Sequence, residues 1–146
     1  MIEERSNVLF IDKFRTLDLN QDQTNDNVFR IHGVGEASKA DLVLDIYRPF
    51  LNLTTNSVFK FVLMEIDEND NEVEEDKQKD KLFKRYNYVM TGKVFKKEKK
   101  NLNDVDFVSI YASFGGLMIR LQADFDFVNH FSIDQEVYLL IKLKSN

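Results

Sequence analysis

The chain has 146 residues, 43% hydrophobic and 12% aromatic, with 25 carboxylates against 20 Lys and Arg for a net charge of −5. That length and hydrophobicity suit one domain with one core, since a chain of this size buries roughly 70% of its unfolded surface. The absence of Cys excludes disulfides, thiolate metal sites and cysteine nucleophiles and fits a reducing compartment, while the acidic balance argues against a surface built throughout to neutralise phosphates.

The amino-terminal MIEERSN carries two carboxylates and no apolar run, and no stretch approaches the roughly 18 apolar residues of a membrane span, so a soluble intracellular protein is expected. Val8 to Leu19 reads as a strand with apolar groups on both faces, Phe10 and Phe14 together with Leu9, Ile11 and Leu17. The polar run Asn20 to Asn27 suits a loop, because Asn and Asp bond their own backbone and tolerate left-handed conformations. Val28 to Val34 resumes as a strand, with Gly33 and Gly35 marking a bulge or a turn. Asp41 to Tyr47 alternates, with Leu42, Leu44 and Ile46 on one face, until Pro49 ends it. Ser57 to Ile66 is a further strand.

Asp67 to Lys81 holds one apolar residue, Val73. Such a segment buries too little to offset about 1 to 2 kcal/mol of backbone entropy per ordered residue, so a mobile acidic loop over 67–84 is expected. Asp67, Asn69 and Asn71 have the spacing that opens an EF-hand loop, but Glu72 stands where its glycine belongs and Gln78 where its bidentate Glu belongs, so calcium is set aside. Tyr86 to Lys97 reads as a strand, and the polar Lys96 to Asp104 as the turn that follows it.

The most constraining stretch is Val105 to Phe125. Val108, Ile110, Ala112 and Phe114 alternate, Gly115 and Gly116 supply a pair able to take positive φ, and Leu117, Ile119, Leu121 and Ala123 alternate again, which predicts a two-residue hairpin with one apolar face. Asp126 to Asp134 suits a short helical turn with Phe127, Val128 and Phe131 inward, and Glu136 to Leu143 a last strand. About eight short strands with polar connections point to an antiparallel barrel or sandwich, all-β in class, within a single domain spanning 1–146.

Chemistry-bearing patterns are few. His32 and His130 lack partners at ligand spacing, Thr91-Gly92-Lys93 lacks the upstream glycine of a phosphate loop, and Gly33 and Gly35 make an isolated G-x-G. No catalytic residue, cofactor or metal is therefore expected. Lys96, Lys97, Lys99 and Lys100 beside Phe95 are the candidate nucleic-acid contacts, to be weighed against a solvated hairpin tip. Arg120, beside Met118 on the polar side of the hairpin, is a candidate interface residue.

SFGGLMIRLQ (Ser113 to Gln122), YNYVMTGKVF (Tyr86 to Phe95) and VYLLIK (Val137 to Lys142), with support from VLFIDKF and DLVLDI, resemble the small eighth subunit common to eukaryotic nuclear RNA polymerases I, II and III. The similarity runs from about Asn7 to Lys144. It departs at Thr91, where the family usually has an aromatic, at the order of Met118 and Ile119, and in the longer amino terminus. The resemblance implies an OB-like eight-stranded antiparallel barrel in two halves, with the mobile loop between its fourth and fifth strands. It implies a nuclear, non-catalytic subunit that docks on the largest polymerase subunit and supports assembly in transcription, with no cofactor and no small-molecule substrate. It also implies weak, non-specific single-stranded DNA binding from about Asn20 to Ile46. The docking candidates are Phe114, Gly115, Gly116, Leu117, Met118, Arg120, Tyr88 and Tyr111. The alternative is an independent OB-type single-strand-binding module acting through the four lysines.

Overall fold

The computed structural model describes residues 7–66 and 79–144. The eight strands are β1 (Val8–Gln21), β2 (Val28–Gly35), β3 (Asp41–Tyr47), β4 (Val58–Glu65), β5 (Tyr88–Leu102), β6 (Val105–Phe114), β7 (Leu117–Asp124) and β8 (Glu136–Leu143). Among the described residues two short helices join them, α1 at residues 79–83 and α2 at Phe125–Val128. All pairings are antiparallel, and the strands close into a barrel in the order β1-β2-β3-β7-β6-β5-β8-β4, with β4 returning to β1. Closure leaves no free sheet edge. The expected all-β, eight-stranded antiparallel barrel is the observed one.

Period-two alternation puts one side of each strand inside. Phe10 and Phe14 of β1 meet Phe59 and Phe61 of β4 at ring-centroid distances of 5.2 to 6.1 Å, and Ile31, Leu42, Leu44, Ile46, Ile110 and Leu121 complete a continuous interior. Asp12 is, with Thr16, a polar exception on the inward side of β1. Its carboxylate accepts hydrogen bonds from the Ser38 N–H (2.8 Å), the Ser38 hydroxyl (2.6 Å) and the Ala37 N–H (3.2 Å), which pins the β2–β3 turn to β1. A Cβ on Gly35 would lie 2.4 Å from that carboxylate, so the turn requires glycine there.

A second apolar cluster lies outside the barrel wall. Val62 and Met64 of β4 and Leu140 of β8 point outward, yet they are buried, because Leu82 of α1 packs over them with Phe83 and Tyr86 beside it. Within the expected loop 67–84, residues 79–83 form a helical turn packed on the barrel wall. The remainder of that expectation, 67–78, and the calcium-like spacing within it lie outside the described residues.

Two other expectations are corrected. Lys96 to Leu102 is strand, not turn: β5 continues to Leu102 in register with β6, and the reversal is confined to Asn103 and Asp104, whose φ values are 52° and 66°. Ladder hydrogen bonds to β6 hold this polar run extended where its own side chains carry no strand signal. At α2, Val128 and Phe131 are buried as expected, but Phe127 is exposed because the single turn directs only Val128 inward.

Candidate functional site

The hairpin of β6 and β7 forms as its sequence predicts. Phe114 pairs with Leu117, and Gly115 and Gly116 take φ of 63° and 89°, the consecutive positive values of a hairpin turn whose twist matches the strands it joins. Ile119 and Leu121 are buried while Leu117, at the turn, is half-buried. The outward side carries Met118, opposite Ser113, and Arg120, which lies between Tyr111 of β6 and Val43 of β3.

Neighbouring side chains fix this outward surface. Arg120 donates to Asp41, whose other oxygen lies 2.5 Å from His32 Nε2, and His32 Nδ1 is 3.8 Å from Asp18. Arg30 grips Asp45 through Nε (2.8 Å) and Nη2 (3.3 Å), and Asp45 in turn accepts the Met118 N–H at 3.2 Å. Asp45, by hydrogen bond and charge, holds the Arg30 guanidinium above its ordinary pKa. The Tyr111 hydroxyl donates to Glu98 at 3.1 Å, and Ser109 to Gln122 at 2.9 Å. A shift in register between Val94 and Lys96 makes Phe95 the extra residue of a β-bulge. Its exposed ring sits 6.2 Å from that of Tyr111, and Lys96 Nζ lies 5.1 Å from the same tyrosine ring.

The result is a rigid surface of aromatic, Met and Arg side chains over a polar underlayer. Such residues are enriched at protein interfaces, where well-held aromatics and arginines contribute most. Phe95 and Val43 belong to it and were not among the sequence candidates. Phe95 is placed by the bulge, which no local pattern announces, whereas Val43 was open to view as the outward neighbour of Leu42 and Leu44.

Two sequence candidates do not belong to the surface. Phe114 and Tyr88 are 1% and 4% exposed, on the inward side of β6 and β5, and contribute to the core. Burial raises the Tyr88 phenol above its ordinary pKa, with the Tyr47 backbone opposing. Met118, Arg120, Tyr111 and the Gly115–Gly116 turn come together on the outside, with Leu117 at the margin.

The four candidate lysines do not form one patch. Lys96 stays on the Tyr111 side, 3.6 Å from Glu98, whereas Lys97 Nζ donates to the carbonyls of Asn129 and Phe131, both at 2.9 Å, and Lys99 lies 5.7 Å from the Phe125 ring. Alternation sends them to opposite faces of the ribbon. In the 20–46 region, Asp22, Asp41 and Asp45, with Asp18 from just before it, surround Arg30 and His32, an acidic setting for a phosphate backbone.

For chemistry, among the described residues His32 contacts two carboxylates and no hydroxyl nucleophile, and both Asp41 oxygens are engaged. Among the described residues no group of three or more His, Cys, Asp or Glu is placed to hold a metal ion. The geometry defines a closed antiparallel β-barrel that presents a preorganised surface of aromatic, Met and Arg side chains on one wall.

The comparisons make the class particular: the family model described as RNA polymerase Rpb8 matches residues 11–143, and the chain belongs to that family. It is 36% identical over 142 residues to the Dictyostelium discoideum protein named DNA-directed RNA polymerases I, II, and III subunit rpabc3, covering 94% of this chain and 98% of that one. It is 31% identical over 141 residues to a Caenorhabditis elegans protein named as a probable subunit RPABC3 of the same three polymerases, covering 92% and 95%. A shorter match, 36% over 58 residues, is to an Arabidopsis thaliana protein named subunit 8B of polymerases II, IV and V, covering 40% and 39%.

Proposed function

We propose that this chain is a non-catalytic subunit shared by nuclear RNA polymerases I, II and III, docked on the largest subunit through the outer surface of β5, β6, β7 and β3 and supporting assembly of the enzyme in the nucleus. The family membership and the names of its near-full-length relatives support the role. The observation that carries the docking face is the preorganisation of Arg120, with its guanidinium on Asp41 and Tyr111 and Met118 as its neighbours. A stable interface buries about 1,600 Å² in total and draws most of its energy from a few such anchors.

The test is co-purification of tagged chain with the largest subunit. Arg120→Ala should reduce the recovered partner severalfold while leaving the thermal midpoint of the isolated chain almost unchanged. Full recovery with Arg120→Ala and with Tyr111→Ala removes this face from the interface.

A further inference from the structure

Between β3 and β4, one aromatic side chain stands in solvent on a backbone held by its neighbours. Phe50 is 70% exposed, more than any other large apolar residue among those described. Its N–H donates to the Tyr47 carbonyl at 3.0 Å, and the Leu51 N–H to the Tyr47 and Arg48 carbonyls at 3.3 and 3.2 Å, so the chain turns tightly around Pro49. Leu51 and Leu53, both buried in the core, anchor the far side of the turn. On the near side, the Arg48 N–H donates to the Asn27 carbonyl at 2.8 Å and its Nε to Asn52 at 3.1 Å, while its guanidinium lies 4.2 Å from the Phe29 ring. The Phe50 ring meets that of Tyr47 edge-on at 4.9 Å.

Single exposed apolar residues are ordinary, and Phe127 and Ile133 need no partner to explain them. Phe50 differs in its place. The outward residues of β3 are Asp41, Val43, Asp45 and Tyr47. Val43 stands opposite Arg120, and Asp45 accepts the Met118 N–H, so Tyr47 is the next outward position, at the Gly115–Gly116 end of β7. Tyr47 and Phe50 therefore continue the Arg120 surface past Met118. A stable interface covers about 800 Å² and roughly 20 to 30 residues on each partner, far more than Met118, Arg120, Tyr111, Val43 and Phe95 supply.

We propose, resting on the docking face proposed above, that Phe50 backed by Tyr47 is a further anchor of that face and inserts into an apolar pocket of the subunit on which the chain docks. A ring already fixed in position loses little freedom on binding, and a ring that is mostly in water gives the free chain little, so nearly all of its apolar area is left for a partner to bury. The pocket must be apolar because the phenyl ring offers no polar atom to satisfy. Stacking on a single-stranded nucleic acid fits less well, because a stacked strand needs cations along its phosphates. From Ala40 to Phe59 the sole basic residue is Arg48, and it is turned onto Phe29 and Asn52.

The test is recovery of the largest subunit with the tagged full chain. Phe50→Gln should lower recovery roughly tenfold and Phe50→Leu by no more than about twofold, because leucine still fills an apolar pocket and glutamine does not. Neither should lower the thermal midpoint of the free chain. A benzophenone amino acid in place of Phe50 should crosslink to the largest subunit when the assembled enzyme is irradiated, and one in place of Phe127, beyond the other end of β7, should not. Loss of recovery with Arg120→Ala but full recovery with Phe50→Gln overturns this anchor and leaves the docking face standing. Full recovery with both removes the face and the anchor together. Loss with Phe50→Gln but full recovery with Arg120→Ala and Tyr111→Ala overturns the continuity of the two. A lowered midpoint for Phe50→Gln, crosslinking from position 50 to nucleic acid or to a different subunit, or equal crosslinking from position 127, also overturns the proposal.

Discussion

Two walls of one barrel solve the outward-facing side chain in opposite ways. β4 lies four strands from β7 in either direction around the barrel. On the β4–β8 wall, Val62, Met64 and Leu140 face outward and are buried, because the chain folds back as α1 and lays Leu82 across them. On the β7–β6 wall, Met118, Arg120 and Tyr111 face outward with no segment of the described residues laid over them, held instead by Asp41, Asp45 and Glu98. One wall is finished within the chain, and the other is left rigid and half-exposed. A surface completed internally belongs to the core, whereas a preorganised but uncovered one has the side-chain makeup that is enriched at protein interfaces.

The largest effect should come from breaking the covered wall. Leu140 points away from the barrel axis, so a reading from strand parity alone would expect its truncation to be harmless. Its complete burial says otherwise. Leu140→Ala should cost about 2 to 5 kcal/mol, the range for a buried leucine, measured by denaturant unfolding. A loss under about 0.5 kcal/mol would mean that α1 does not seal that wall.

This asymmetry also explains what the sequence disclosed. β7 reads off the page because only one of its faces is buried, whereas β4 and β8 lose their alternation where both faces are covered. Strand existence was still evident there from β-branched and aromatic content. α1 was hidden because five charged or amide residues, Lys77 to Lys81, precede the Leu82–Phe83 pair that docks it. The composition of the whole segment outweighed two residues whose importance depends on a distant wall. The long arm of β5 was hidden for a related reason, since its ladder to β6 and not its side chains keeps it extended.

At the candidate site, the hairpin, its turn and the outward parity of Met118 and Arg120 were legible. Phe114 was offered as a contact although its own alternation with Val108, Ile110 and Ala112 already placed it inside. The polar underlayer was less accessible. His32 and Asp41 approach only through the register of β2 and β3, and Arg120 reaches Asp41 only because β3 pairs with β7, a contact 79 residues apart.

A smaller effect, sensitive to pH, belongs to the seam between the walls. Burial alone would raise the Asp12 carboxyl, but hydrogen bonds from the Ser38 hydroxyl and N–H, and from the Ala37 and Lys13 N–H groups, outweigh it and hold the pKa below the ordinary value. A pKa depressed by folding means that the unfolded state binds protons first, so the stabilisation is complete above the unfolded pKa of about 3.9 and is lost as pH falls through the folded value. Asp12→Asn should lower stability near neutrality by about 1 to 3 kcal/mol through weakened bonds to the turn. The native and variant curves should converge in acid. A gap that persists unchanged to low pH would assign the loss to packing and not to the carboxylate.

The smallest effect on folding, and the sharpest on the comparison, is expected at Met118. Its side chain is as apolar as that of Leu140, but it is half-exposed and its anchoring to Asp45 runs through the backbone N–H, which substitution leaves in place. Met118→Ala should therefore change unfolding by under about 1 kcal/mol. The same variant should reduce recovery of the largest subunit, because truncation at a preorganised contact weakens association without disturbing the free chain. A stability loss as large as that of Leu140→Ala would mean that Met118 is already sealed within the chain, and the distinction between a finished wall and an open one would be gone.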